Sequence, residues 1–153
     1  MFRITPTALA LALIACGPGE SAEGEAPPAS SAPAAQPAPV LRAEIVLPGE
    51  GAEVSGEVPI MLSAQGVIVE AASGTRDPGR GHHHLFVDTD LSLAGEPIPA
   101  GVPGIIHIGT GASEYVLTDL TPGEHRIIAV LAHGDHVPME GVATDTLNIV
   151  VRP

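Results

Sequence analysis

The distribution of apolar residues divides the chain into three parts. Near the start, an unbroken run of Ala, Leu and Ile extends from Ala8 to Ala15. From Gly17 onward hardly a large apolar side chain occurs until Val40 and Leu41. Beyond Arg42 the apolar residues return in short runs, rich in Val and Ile and repeatedly closed by Gly and Pro. Runs of that length and composition indicate strands and not helices. They predict strands over 43–47, 58–64, 67–71, 83–88, 105–108, 114–120, 125–131 and 144–151. Turn-forming clusters separate them, among them Pro48-Gly49-Glu50-Gly51, Asp77-Pro78-Gly79, Pro103-Gly104, Thr121-Pro122-Gly123 and Gly134-Asp135. About seven or eight short strands at this spacing predict an all-β domain over 42–153, an immunoglobulin-like antiparallel β-sandwich. The chain has no Trp and a single Cys, so the core must rest on aliphatic residues with Phe86 and Tyr115. The expectation therefore concerns architecture and not kinship with antibodies.

The N-terminal run follows a positive start, Met1-Phe2-Arg3. Eight residues span only about 12 Å as a helix, well short of a hydrocarbon layer of roughly 30 Å, so 1–15 reads as a secretory signal peptide. Its end, Leu13-Ile14-Ala15-Cys16, resembles the lipobox of bacterial lipoproteins. That resemblance implies cleavage before Cys16, acylation of its sulfur, and a membrane anchor with the domain outside the cytoplasm. Cys16 is the only cysteine and has no disulfide partner within the chain, which agrees with such a role. Two or three acyl chains anchor stably where one does not. Gly17 stands where an Asp would imply the inner membrane, which favours the outer membrane in a cell that has both. Residues 16–41, rich in Pro, Ala, Ser, Gly and Glu, cannot bury enough surface to fold and read as a disordered tether.

Charge narrows the partners. Six Arg and no Lys stand against eighteen Asp and Glu, for a net charge of -12. Nucleic acid and anionic lipid surfaces are poor partners for the domain on that balance. Catalytic signatures are also missing: the one Cys is committed to lipid, and neither a Gly-x-Ser-x-Gly elbow nor a phosphate-binding glycine loop occurs. The chain is read as a non-enzyme.

The unusual feature is histidine. His82, His83, His84, His107, His125, His133 and His136 all fall between positions 82 and 136. The segments that carry them are Gly81-His82-His83-His84-Leu85-Phe86-Val87-Asp88, His107-Ile108-Gly109-Thr110-Gly111, Pro122-Gly123-Glu124-His125 and His133-Gly134-Asp135-His136-Val137-Pro138. With Gly95-Glu96-Pro97-Ile98-Pro99, in this order, they resemble the bacterial domain-of-unknown-function family DUF4399. The resemblance runs from about Ala43 to Val151 and implies an exported β-rich domain with a His-rich hallmark, but no reaction. The family commonly carries a further histidine after the Val-Pro step, where this chain has Met139.

Neutral imidazoles are the commonest metal ligands, and several must share one small volume. In an extended strand His82 and His84 project from one face about 6–7 Å apart, while His83 points the other way. His133 and His136 flank Gly134-Asp135 in a loop that could turn both rings toward that strand. The candidate metal set is therefore His82, His84, His107, His133, His136 and Met139, with copper or zinc as the ion. A thioether beside imidazole leans toward copper, and Asp88 or Asp135 in its place toward zinc. Metal binding requires at least three of these donors to converge on one point. Scattered rings bonded to backbone would instead indicate a non-catalytic envelope module that meets another protein, or a domain that senses acidity through its histidines. His125, next to Pro122-Gly123, is expected to bond to that turn, and His83 to make packing or hydrogen-bond contacts. A calcium loop beginning at Asp88-Thr89-Asp90 fails, because Leu93 and Pro99 occupy the positions that need Gly and a bidentate Glu.

Overall fold

A computed structural model describes residues 40–153. The expected signal peptide, Cys16 and the tether as far as residue 39 lie outside the described residues. Leu41, assigned to the tether by composition, is already tied to the domain: its carbonyl accepts a hydrogen bond from the Ala143 N–H at 2.9 Å.

Nine strands make up the described chain. They are β1 (Arg42–Leu47), β2 (Ala52–Ser55), β3 (Val58–Gln65), β4 (Ile68–Val69), β5 (Arg80–Val87), β6 (Ile105–Ile108), β7 (Glu114–Leu117), β8 (Gly123–Ala132) and β9 (Asp145–Arg152). A three-stranded sheet has the order β1-β3-β7, and a larger sheet runs β2-β9-β8-β5-β4 with β6 also on β5. The all-β sandwich expected from the sequence is what forms. Alternation drives it: on β3, Val58, Ile60 and Leu62 are buried while Pro59 and Met61 are exposed. These meet Leu85, Val87, Ile127, Ala129, Leu131, Leu147 and Ile149 of the larger sheet in one apolar cluster.

Several details differ from the strand reading, and β4 and β7 are shorter than the strands expected at 67–71 and 114–120. β2 was not predicted, because Ala-Glu-Val-Ser offers one large apolar residue. It is held by pairing in parallel with β9 and by Glu50, which accepts from the Asn148 backbone and side-chain N–H groups at 2.8 and 2.9 Å. The larger sheet is mixed, since β4 also pairs with β5 in parallel. That pairing, through Arg80 and Gly81, starts β5 ahead of the apolar run.

β5 positions the site. From Gly81 to Val87 it is buried on both faces. Its odd-numbered residues face the sandwich core. Phe86, on the even face, joins Ile98, Ile128, Val130 and Ala132 in a second cluster on the outer side of the sheet. Ile98 belongs to the long 88–104 connection, which folds back over that side and donates its backbone N–H to the His136 carbonyl at 2.9 Å.

Candidate metal centre

His82 and His84 share the even face of β5 with Phe86 and are fully buried. On β6 the partner of His84 is His107, so strand register alone sets these two rings side by side. They stack with centroids 5.0 Å apart and planes 25° apart. His136 arrives from the turn after β8, with φ at 69°, a left-handed conformation in which His is over-represented among non-glycine residues. The turn is tied at several points. The His136 N–H donates to the His133 carbonyl at 2.8 Å, and the Gly74 N–H donates to the Gly134 carbonyl at 2.9 Å. Arg76 donates to Asp135 Oδ2 from Nε at 3.0 Å and from Nη2 at 2.8 Å.

Four imidazoles therefore converge. Every pair among His82, His84, His107 and His136 has ring centroids between 4.7 and 5.8 Å apart. Nε2 of His84 lies 3.0 Å from Nε2 of His82, and Nε2 of His136 lies 3.2 Å from Nε2 of His107. Two imidazole nitrogens on one tetrahedral zinc, each at about 2.0–2.1 Å, stand roughly 3.3 Å apart, close to both separations. His82, His107 and His136 each offer a donor atom within 4.8 Å of the other two. Three atoms so spaced have a common point no more than about 2.8 Å from each, within a small rotation of bonding distance.

Burial favours the neutral form of His82, His84 and His107, the form that ligates. Desolvation, then the neighbouring His107, His136 and His83, pushes His82 down to about 4. Desolvation and the other histidines push His84 down to about 3, and His107 is lowered by desolvation and then by His136. Without an ion the arrangement is costly. When two neutral rings share one hydrogen bond through Nε2, the accepting ring carries its hydrogen on Nδ1. Among the described residues, neither Nδ1 of His82 nor that of His84 has a partner.

The remaining candidates are placed elsewhere. His133 belongs to the same turn but not to the ring cluster; its backbone N–H donates to the Val137 carbonyl at 2.9 Å and its Nδ1 is buried without a partner. Met139 is buried in the large apolar cluster, with Sδ 3.1 Å from where a Cβ at Gly81 would stand, on the core side of β5. Its thioether fills core space and is not brought to the four rings. His83 points into the core, as its phase requires, but among the described residues it finds no hydrogen-bond partner for either ring nitrogen. His125 bonds to the turn before it, Nε2 donating to the Thr121 carbonyl at 2.7 Å, and Nδ1 meets Asp88 Oδ2 at 2.6 Å. Asp88 and Asp90, the carboxylates of the rejected calcium loop, are engaged with His125 and Arg126.

Gly109 is a supporting residue the sequence reading passed over. A Cβ at this position would overlap Cε1 and Nε2 of His107 and lie 3.2 Å from its Nδ1, so the ring occupies the space a side chain would fill. The signal lies in His107-Ile108-Gly109, because residues two apart share a strand face.

Comparison with known proteins gives a family and a distantly similar structure. The family model described as a domain of unknown function, DUF4399, matches residues 60–152. No curated protein matches the chain. Among solved structures, the chain is similar to one described as the extracellular domain of a one component system, BT4673, from B. thetaiotaomicron. Identity there is 10%, over 75% of this chain, with a TM-score of 0.42, and the chain spans 15% of that protein.

Proposed function

The chain belongs to the DUF4399 family, and we propose that its domain binds one copper or zinc ion through His82, His107 and His136, with His84 as a fourth donor. The observation that carries this reading is the convergence of four imidazoles, two of them fully buried. Two strands and a tied turn supply the donors, so the site is preorganised. The donor set is all nitrogen; the thioether argument for copper lapses with Met139, and both zinc and Cu(II) accept such a set. The lipobox-like Leu13-Ile14-Ala15-Cys16 supports the setting: export, lipid on Cys16, and a tethered domain at the cell envelope, on the outer membrane where there is one. There the domain captures, buffers or passes on the ion without catalysing a reaction.

A second reading, an interaction module, is favoured by exposed Leu47, Met61 and Val116. The first two are register partners, and all three line one apolar groove over the small sheet. The two readings separate in calorimetry and elemental analysis of the tag-free chain carrying Cys16→Ser, which removes the thiol as a ligand. One ion per chain, bound below the micromolar range and lost in His82→Ala/His107→Ala without loss of folding, is the expected result. Weak uptake at several sites, equal in parent and variant, would overturn the metal reading.

A further inference from the structure

No carboxylate is bonded to any of the four converging rings among the described residues. Among the described residues, the ring nitrogens of His82, His84, His107 and His136 hydrogen-bond only to one another. Among the described residues, the one imidazole paired with a carboxylate is His125, with Asp88. Metal-ligating imidazoles usually give their second N–H to a carboxylate or carbonyl, which passes negative charge toward the ion. Here Nδ1 of His82 and of His84 is buried with no acceptor. Asp135, next to His136 in sequence, is turned to Arg76 and to the Val137 N–H. A divalent ion at this point would hold its full charge against two fully buried rings, where uncompensated charge is expensive. Only one side offers relief: His107 is exposed and His136 half-buried, so the cluster meets solvent there.

Resting on the metal reading, we propose that the loaded site takes its counter-charge from solvent: the ion carries an exogenous anion. By default this is hydroxide, left when a bound water gives its proton to bulk buffer, and it exchanges for a small monoanion or a ligand carboxylate. The site then recognises an ion and an anion together, with the anion on the His107–His136 side.

The test uses the whole chain with Cys16→Ser, loaded with one equivalent of Cu(II) and titrated with azide. Charge-transfer absorption and electron paramagnetic resonance follow the titration, and equilibrium dialysis tracks the metal. The expected result is a saturable new band at one azide per copper, with the copper retained and no response from the metal-free chain. Copper that stays bound while its spectrum ignores excess azide, or that azide strips away, overturns the anion proposal and leaves the metal reading standing. Failure to retain one equivalent of copper at all overturns both.

Discussion

Replacing Gly109 by Ala tests whether the ring cluster is a built site, because the change leaves every proposed ligand's identity intact and alters only the support behind His107. The new Cβ would overlap Cε1 and Nε2 of His107, and ordinary contact at about 3.5 Å requires that ring to retreat by on the order of 1 Å. Metal–ligand distances tolerate only about 0.2 Å, so His107 cannot stay in place and bond. The φ of Gly109 lies outside the left-handed region, and the backbone accepts Ala without strain. The metal-free fold should therefore hold its stability or gain about 0.4–1 kcal/mol from the stiffer unfolded chain. Losing the position of one ligand through its support should weaken metal binding by about 10–100-fold, or roughly 1.4–2.8 kcal/mol. Calorimetry on Gly109→Ala, His107→Ala and the double variant closes the cycle. The double variant should bind no more weakly than His107→Ala, since both changes remove the same bond. Parent-like affinity in Gly109→Ala, or losses that add in the double variant, would refute the reasoning.

Three further outcomes follow from residues outside the ligand set. His83 is buried in the core with both ring nitrogens unpartnered, so His83→Leu should stabilise the metal-free chain by about 1–3 kcal/mol in urea unfolding and leave metal affinity unchanged. Burial holds the folded pKa of His83 near 4, below its ordinary 6.5, so the unfolded chain binds the extra proton and stability falls as pH drops through that interval; the Leu variant should lose less between pH 7 and 5. The pKa of His125 is raised, chiefly by its hydrogen bond to the Thr121 carbonyl and further by Asp88, so its stabilisation is complete below the unfolded value and disappears as pH rises through the folded one. Asp88→Asn should accordingly cost more stability in thermal unfolding at pH 5.5 than at pH 9, by no more than about 1 kcal/mol for so exposed a carboxylate. Arg76→Ala releases Asp135 and loosens the turn that aims His136. An exposed ion pair is worth about 0.2–1 kcal/mol, so metal affinity in a competition titration should fall by no more than about fivefold.

Much of the fold was legible because short Val- and Ile-rich runs bounded by Gly and Pro have few other uses. What escaped was what pairing supplies from a distance. Ala52–Ser55 carries too little apolar signal to be read as a strand and exists because β9 offers it an edge. The shared face of His82 and His84 was readable from the period of two. The register that sets His107 against His84 was not, since it depends on how a 17-residue connection, 88–104, returns the chain to β5. His133 and His136 looked equivalent around Gly134-Asp135. The left-handed backbone at His136 brings that ring to the cluster, while His133 faces elsewhere. Met139 was weighed as a soft ligand on chemistry alone. In the fold its thioether serves the core, because the bridge from Pro138 to Ala132 and the Met139–Leu131 hydrogen bond set it beside Gly81 on the inner side of β5.

The most direct test of the central claim is metal-edge X-ray absorption on the whole chain with Cys16→Ser, loaded with one equivalent of zinc or copper. The account predicts a first shell of nitrogen and oxygen at about 2.0–2.1 Å, with multiple scattering from at least three imidazoles, lost in the His82→Ala/His107→Ala/His136→Ala variant. Sulfur in the shell, fewer than three imidazoles, or a spectrum unchanged in that variant would contradict it.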